Sequence, residues 1–219
     1  MLDIHALMSA LAVRRPVFHS EADFQHALAW EIHEQHPKVE VRLEYPPRDV
    51  RTRWHIDIWV KGDEERVAVE LKYATKRLET SVGGEAFRIL DQAAQDLTRY
   101  DFVKDVARIE TLVEAGIVSA GHAVILSNDR PMWSGPKEGT VGRSFSCREG
   151  HVASGTAAWA AHAGPGTTRG REDPLTLHSQ YLCQWREYSV VPGTYGAFRY
   201  LAIEVPGHPV VRTEREATE

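Results

Sequence analysis

The sequence predicts a protein of α/β class in which a helix, three strands, a second helix and a further strand are followed by a β-rich C-terminal part. Three observations carry this: a capped helical stripe over 21–36, three alternating runs between 39 and 73, and a helical and then an apolar run between 84 and 127. At 219 residues the chain is long enough to bury a real core in one elaborated domain.

Ser20 followed by Glu21 and Asp23 reads as an N-cap with first-turn acids; Phe24, Leu28 and Ile32 give that helix its buried stripe, and Pro37 stops it near His36. Residues 39–45 alternate apolar and charged side chains as a half-buried strand does, and Pro46-Pro47 ends the run. Residues 54–60 and 66–73 flank the polar Lys61-Gly62-Asp63-Glu64-Glu65 and read as a hairpin. After Gly83-Gly84, the residues Phe87, Leu90, Ala94 and Leu97 recur at helical spacing. The pattern runs on through Val106, Ile109 and Val113 to Gly116, with Tyr100-Asp101 as a break within it. Residues 121–127 form a short apolar run of the buried-strand kind. Beyond Asn128 the chain is rich in Gly, Ser, Thr and Pro, with short strands expected near 144–147 and 157–161 and better ones at 180–191 and 198–205. No repeat or low-complexity linker divides the chain, so residues 1–128 read as a core and 129–219 as a β-rich extension packed on the same domain.

Composition excludes several classes. No apolar run approaches the eighteen residues of a membrane span and the N-terminus has no signal-like pattern, so a cytoplasmic protein without a membrane partner is expected. Cys147 and Cys183 are too few for a disulfide scaffold or a four-cysteine zinc site. A formal charge of −5 argues against coating nucleic acid through bulk electrostatics. Local contact is left to a basic rim of residues between Arg42 and Arg99, with Arg53 and Arg88 among them.

The chemistry concentrates in RWHIDIWV-KGDEE-RVAVELKY, where acids stand at strand positions that favour apolar residues. If the hairpin folds symmetrically about Asp63-Glu64, Asp57 lies opposite Glu70, and period-two alternation turns Glu70, Lys72 and Asp57 to one face. Two carboxylates about 5 Å apart repel by ~3 kcal/mol at an effective dielectric of ~20. Lys72 relieves part of this. A hard divalent cation, Mg2+ or Mn2+, relieves more, with the Leu71 carbonyl as a further oxygen donor. A lysine beside such a site can orient an attacking water while the ion offsets phosphate charge.

Asp57, twelve residues, then Glu70-Leu71-Lys72 resembles the D…(D/E)-x-K signature of the PD-(D/E)XK phosphodiesterase superfamily, and the resemblance covers roughly the first 128 residues. It departs from the family pattern in having Ile56, not proline, before Asp57. The resemblance implies a restriction-endonuclease-like core, with a mixed central sheet flanked by helices, and a magnesium-dependent nuclease acting on nucleic acid, DNA favoured, in a defence, repair or mobile-element setting. It also implies Asp57, Glu70 and Lys72 as catalytic residues, with metal held by Asp57, Glu70, the Leu71 carbonyl and a glutamate of the first helix. Glu21 is the best match for that glutamate, and Glu31 is the alternative. On the second helix Gln92, Asp96 and Tyr100 fall at i, i+4 and i+8, with Arg88 one turn before, as substrate-lining residues together with Arg53. The competing expectation is a nucleic-acid- or protein-binding module on the same fold with weak or no catalysis. A homodimer or a larger assembly is compatible with either.

Overall fold

Two helices form before the first strand. In α1 (Ile4–Arg14), unforeseen from the sequence, the Asp3 carboxylate accepts from the His5 and Ala6 N–H groups at 3.0 Å each. Its Ile4, Leu7, Met8 and Leu11 are buried at helical spacing. In α2 (Glu21–Gln35) the Ser20 hydroxyl caps the Asp23 N–H at 3.2 Å. The computed structural model describes residues 2–47, 54–92 and 94–207. Within it follow β1 (Glu40–Tyr45), β2 (Ile56–Lys61), β3 (Arg66–Ala74), β4 (Leu78–Val82), β5 (Glu85–Ile89), α3 (Gln95–Glu114) and β6 (Ala120–Ser127). The C-terminal part supplies β7 (Val152–Ala157), β8 (Leu175–Leu182), β9 (Trp185–Val190) and β10 (Ala197–Val205).

The central sheet has the order β1-β2-β3-β6-β10-β9 and is mixed: β3 and β6 run parallel, the other neighbours antiparallel. A parallel pair needs a crossover, and α3 supplies it. Strand alternation sorts the core into two faces. Ile58, Val60, Val69, Leu71 and Tyr73 pack with α1 and α2, whereas Trp59, Ala68, Ala123 and Ile125 pack with α3 and the β7–β8 pair. The stretch after residue 129 therefore adds two strands to the central sheet through β10 and β9, and a separate ribbon on the α3 side. Among the described residues no helix is long and apolar enough to cross a membrane.

Several sequence expectations are corrected. Residues 85–89 are a strand, because Gly83 (φ 58°) and Gly84 (φ 86°) both adopt the left-handed backbone that a two-residue hairpin turn demands. Phe87 and Ile89 are then buried at a period of two, which a helical reading through Leu90 mistakes, since Leu90 is exposed. Helix α3 starts only at Gln95 and continues through Tyr100-Asp101 without a break. The run 180–191 is two strands in different sheets: β8 pairs with β7 and β9 with β10, and between them Cys183 N–H donates to the His151 carbonyl at 2.7 Å. Residues 143–145 form a 3-10 turn, and β7 ends at Ala157 instead of starting there.

The α3–β6 contact fixes how deep α3 sits over the sheet. A Cβ at Gly121 would collide with the Ile109 side chain and meet the Ala68 carbonyl at 3.0 Å. Gly121→Ala should therefore destabilise the protein by about 1–3 kcal/mol, the usual range for overpacking. A urea midpoint equal to wild type would show that α3 can move away freely.

Candidate active site

The β2–β3 ladder runs from Lys61↔Arg66 to Ile58↔Val69. Continued by one step it sets Asp57 against Glu70, as the hairpin symmetry predicts. At this point the pairing gives way to side chains: the Asp57 carboxylate accepts from the Leu71 N–H at 2.6 Å, and the Glu21 carboxylate from the Tyr73 N–H at 2.8 Å. N–H groups two residues apart share one strand edge, so two acids cap the edge that β2 leaves. Glu70 and Lys72 project from the α3 side of β3. Lys72 Nζ lies 2.7 Å from Asp105 and donates to the Leu71 carbonyl at 2.8 Å. Asp105 also holds Arg108 at 3.2 Å, whose guanidinium stands 5.1 Å over the Trp54 ring.

Helix α2 holds the far side of the cluster. One turn after Glu21, the buried Gln25 amide donates to the Asp57 carbonyl at 2.7 Å and to Glu44 at 2.8 Å. Glu44 falls opposite Asp57 in the β1–β2 register and has φ 50°. It is the one non-glycine residue with a left-handed backbone among the described residues, and such strain collects at functional sites.

Of the site residues expected from the sequence, the structure brings together Asp57, Glu70, Leu71, Lys72 and Glu21. Glu31 lies elsewhere, paired with Arg14 and Gln35. The helix stripe is not formed. Arg88 is on β5, exposed beside Glu79, and Gln92 lies in the loop that follows, its N–H bonded to the Thr75 carbonyl. Tyr100 is buried against Phe145 and Trp159, its hydroxyl donating to the Asp173 carbonyl at 3.3 Å. Arg53 falls outside the described residues. Asp105 was missed, although it interrupts the buried stripe of Phe102, Val106 and Ile109 just as Asp57 and Glu70 interrupt their strands.

The electrostatics follow from burial. Glu70, 2% exposed, is pushed up to about 9 by burial and by the Asp105 and Asp57 carboxylates, which Lys72 and Arg108 only partly offset. Burial also raises Asp57, Glu21 and Asp105 above the usual carboxylate range. For Lys72 burial acts downward, but Asp105, Asp57 and Glu21 outweigh it and keep the ammonium firmly charged. Four carboxyls thus face two cations, leaving two negative charges to be removed by protons or by a divalent ion.

The donor set suits magnesium: all the free donors are hard oxygens, and Glu70 Oε1 is buried without a hydrogen-bond partner. Glu70, Asp57 and Glu21 would hold the ion. As they stand, no group of three or more His, Cys, Asp or Glu residues among the described ones is arranged at ligand distances. The Leu71 carbonyl, expected as a ligand, accepts from Lys72. Neither protein-family models, nor curated proteins, nor solved structures give a match to this chain.

A carboxyl whose folded pKa is raised stabilises the fold below its unfolded value and loses that contribution as pH climbs through the folded value. With chelator present, the wild type should become less resistant to urea from pH 5 to 9, as Glu70 passes from 4.5 in the open chain to about 9 in the fold. Glu70→Gln should flatten much of that slope. Parallel pH profiles for the two proteins would show that Glu70 does not carry the repulsion.

Proposed function

We propose that the chain is a magnesium-dependent nuclease of the PD-(D/E)XK kind that hydrolyses phosphodiester bonds, with DNA as the favoured substrate. The observation that carries the proposal is the convergence of Glu21, Asp57, Glu70 and Asp105 on Lys72 where β2 leaves β3. The order α2, β1, β2, β3, α3, β6, with the β4–β5 hairpin inserted before α3 and with β3 and β6 parallel, supports this reading.

The acidic cluster repels a phosphate unless its charge is compensated, so substrate binding and cation binding are coupled. Magnesium, when bound, supplies Lewis acidity and charge compensation at the phosphate. The chain's own groups do the rest. Lys72 has three N–H donors, of which two are engaged by Asp105 and the Leu71 carbonyl. The third is free to hold an attacking water or a phosphate oxygen. Held charged by the carboxylates around it, Lys72 is placed to serve as an orienting donor and a counter-charge. Asp105 fixes its direction and acts through it as a positioning residue.

Lys72→Met should leave the fold and cation binding intact and lower cleavage by about 10²–10³-fold, the usual effect of removing one transition-state donor. The assay is incubation with plasmid, single-stranded DNA and RNA, each with magnesium, manganese or chelator. Activity within a few-fold of wild type would remove Lys72 from the mechanism. No cation-dependent cutting of any of the three would favour the binding-module reading.

A second expectation needs no substrate. Asp57→Asn relieves repulsion in the metal-free protein while its amide oxygen can still accept from Leu71, so it should melt at or above wild type. Magnesium should raise the wild-type melting temperature, with ~2.7 kcal/mol of stabilisation at a hundred times the dissociation constant. The variant should lose that increment. Strong destabilisation by Asp57→Asn, together with no magnesium effect on wild type, would make the cluster a structural ion-pair network.

A further inference from the structure

Arg99 is the largest fully buried side chain among the described residues, at 1% exposure, and it makes no ion pair there. Its Nη2 donates to the Pro131 carbonyl at 3.0 Å, and its buried Nε has no partner. A guanidinium does not shed its proton in a protein, so this charge has been taken out of water without a counter-charge in contact. Two carboxylates, Asp96 and Asp129, act on it at a distance without touching it, and each accepts a hydrogen bond from another group. Asp96 accepts from the Leu97 N–H at 3.0 Å, and Asp129 from the Gln95 amide at 2.6 Å.

The side chain forms part of the wall of a cleft of about 410 Å³ that Gln95, Asp96, Ser134, Lys137 and Thr140 also line. The cleft lies at the N-terminus of α3, a 20-residue helix whose first turn has no side-chain cap. The positive dipole end of the helix favours an anion there. Two residues beyond Thr140, a glycine lets the chain pass close to the helix. A Cβ at Gly142 would stand 2.9 Å from Asp96 Cβ and 3.0 Å from the Trp159 ring. Lys137 is exposed on the rim and adds a second cation.

We propose that this cleft binds a phosphoryl group, with Arg99 as its buried counter-charge, Lys137 as the rim contact and the positive end of the α3 dipole as a further favourable field. The cleft is large enough for a phosphate or a mononucleotide. The same chemistry has two sources, a free phosphate compound or the terminal phosphate of a nucleic-acid strand. The proposal stands apart from the nuclease reading, since none of these residues belongs to the carboxyl cluster.

The test is titration calorimetry on the full chain, in chelator and at constant ionic strength. The probes are inorganic phosphate, AMP, and a hexanucleotide with either a 5′-phosphate or a 5′-hydroxyl. Saturable binding is expected, weakened about tenfold by Lys137→Glu, as for loss of one charge-assisted hydrogen bond, and abolished by Arg99→Gln. If Arg99→Gln does not fold, judged by circular dichroism, Lys137→Glu decides alone, because its site is on the surface. Preference for the 5′-phosphorylated strand identifies a nucleic-acid end as the source; equal or tighter binding of phosphate and AMP identifies a free compound. No saturable binding of any probe, or binding that Lys137→Glu leaves unchanged, overturns the proposal.

Discussion

Where β2 leaves β3 after the Ile58↔Val69 pair, the strand edge at Leu71 and Tyr73 must find acceptors for two N–H groups. Left unpaired in the interior, each would cost about 1–3 kcal/mol. Carboxylates from Asp57 and Glu21 take both. This choice has a consequence that backbone pairing would not have had, because it draws two acids from β2 and α2 to the strand that carries Glu70 and Lys72. The hydrogen bonds that complete the sheet are thus the ones that assemble the cluster. They also orient it, since each carboxylate with one oxygen committed to the backbone keeps the other in a fixed direction.

The resulting charge density runs against stability. Glu70 and Asp105 are almost fully buried, and burial raises both carboxyls even though Asp105 contacts Lys72 and Arg108. A merely structural arrangement would need one acid for Lys72, and Asp105 alone supplies it at 2.7 Å. The remaining acids raise one another's affinity for protons, and the left-handed Glu44 adds backbone strain at the same margin. This repulsion exceeds what pairing Lys72 requires, and it is the feature that supports the proposed cation site.

Much of this was legible in the sequence because strand periodicity has only two phases. Once a hairpin centre at Asp63-Glu64 is chosen, the Asp57–Glu70 opposition and the shared face follow, and the register agrees. Glu21 was legible through its cap, which sets where α2 begins. Helix phase carried less. Phe87, Leu90, Ala94 and Leu97 fit a helix by spacing alone, while the Gly83-Gly84 pair, the stronger local signal, already specified a hairpin turn. Taking the run as helical put Arg88 and Gln92 on a stripe that does not exist, and it obscured Asp105, whose place in the apolar stripe shows only when α3 is phased from Phe102. The C-terminal strands were poorly legible for a different reason. Their Gly, Ser and Thr residues pack on neighbours remote in sequence, so their pairing is set by tertiary contacts such as Cys183 with His151 and not by local pattern.

Helix α3 links the two charged features of the molecule. Arg99 and Asp105 are one and two-thirds turns apart, so at 1.5 Å per residue they sit about 9 Å apart along the axis and on different sides of it. One meets the loop after β6, the other meets Lys72 on β3. Because β3 and β6 are parallel and α3 returns between them, the helix N-terminus comes back to the end of the sheet where both strands finish. That end collects the dipole of α3, the buried Arg99 charge and, a few residues into the strand, the carboxyl cluster. The sheet's single parallel pair therefore decides where in this fold positive potential and buried negative charge lie. A wholly antiparallel sheet would need no crossover helix and would leave the two apart.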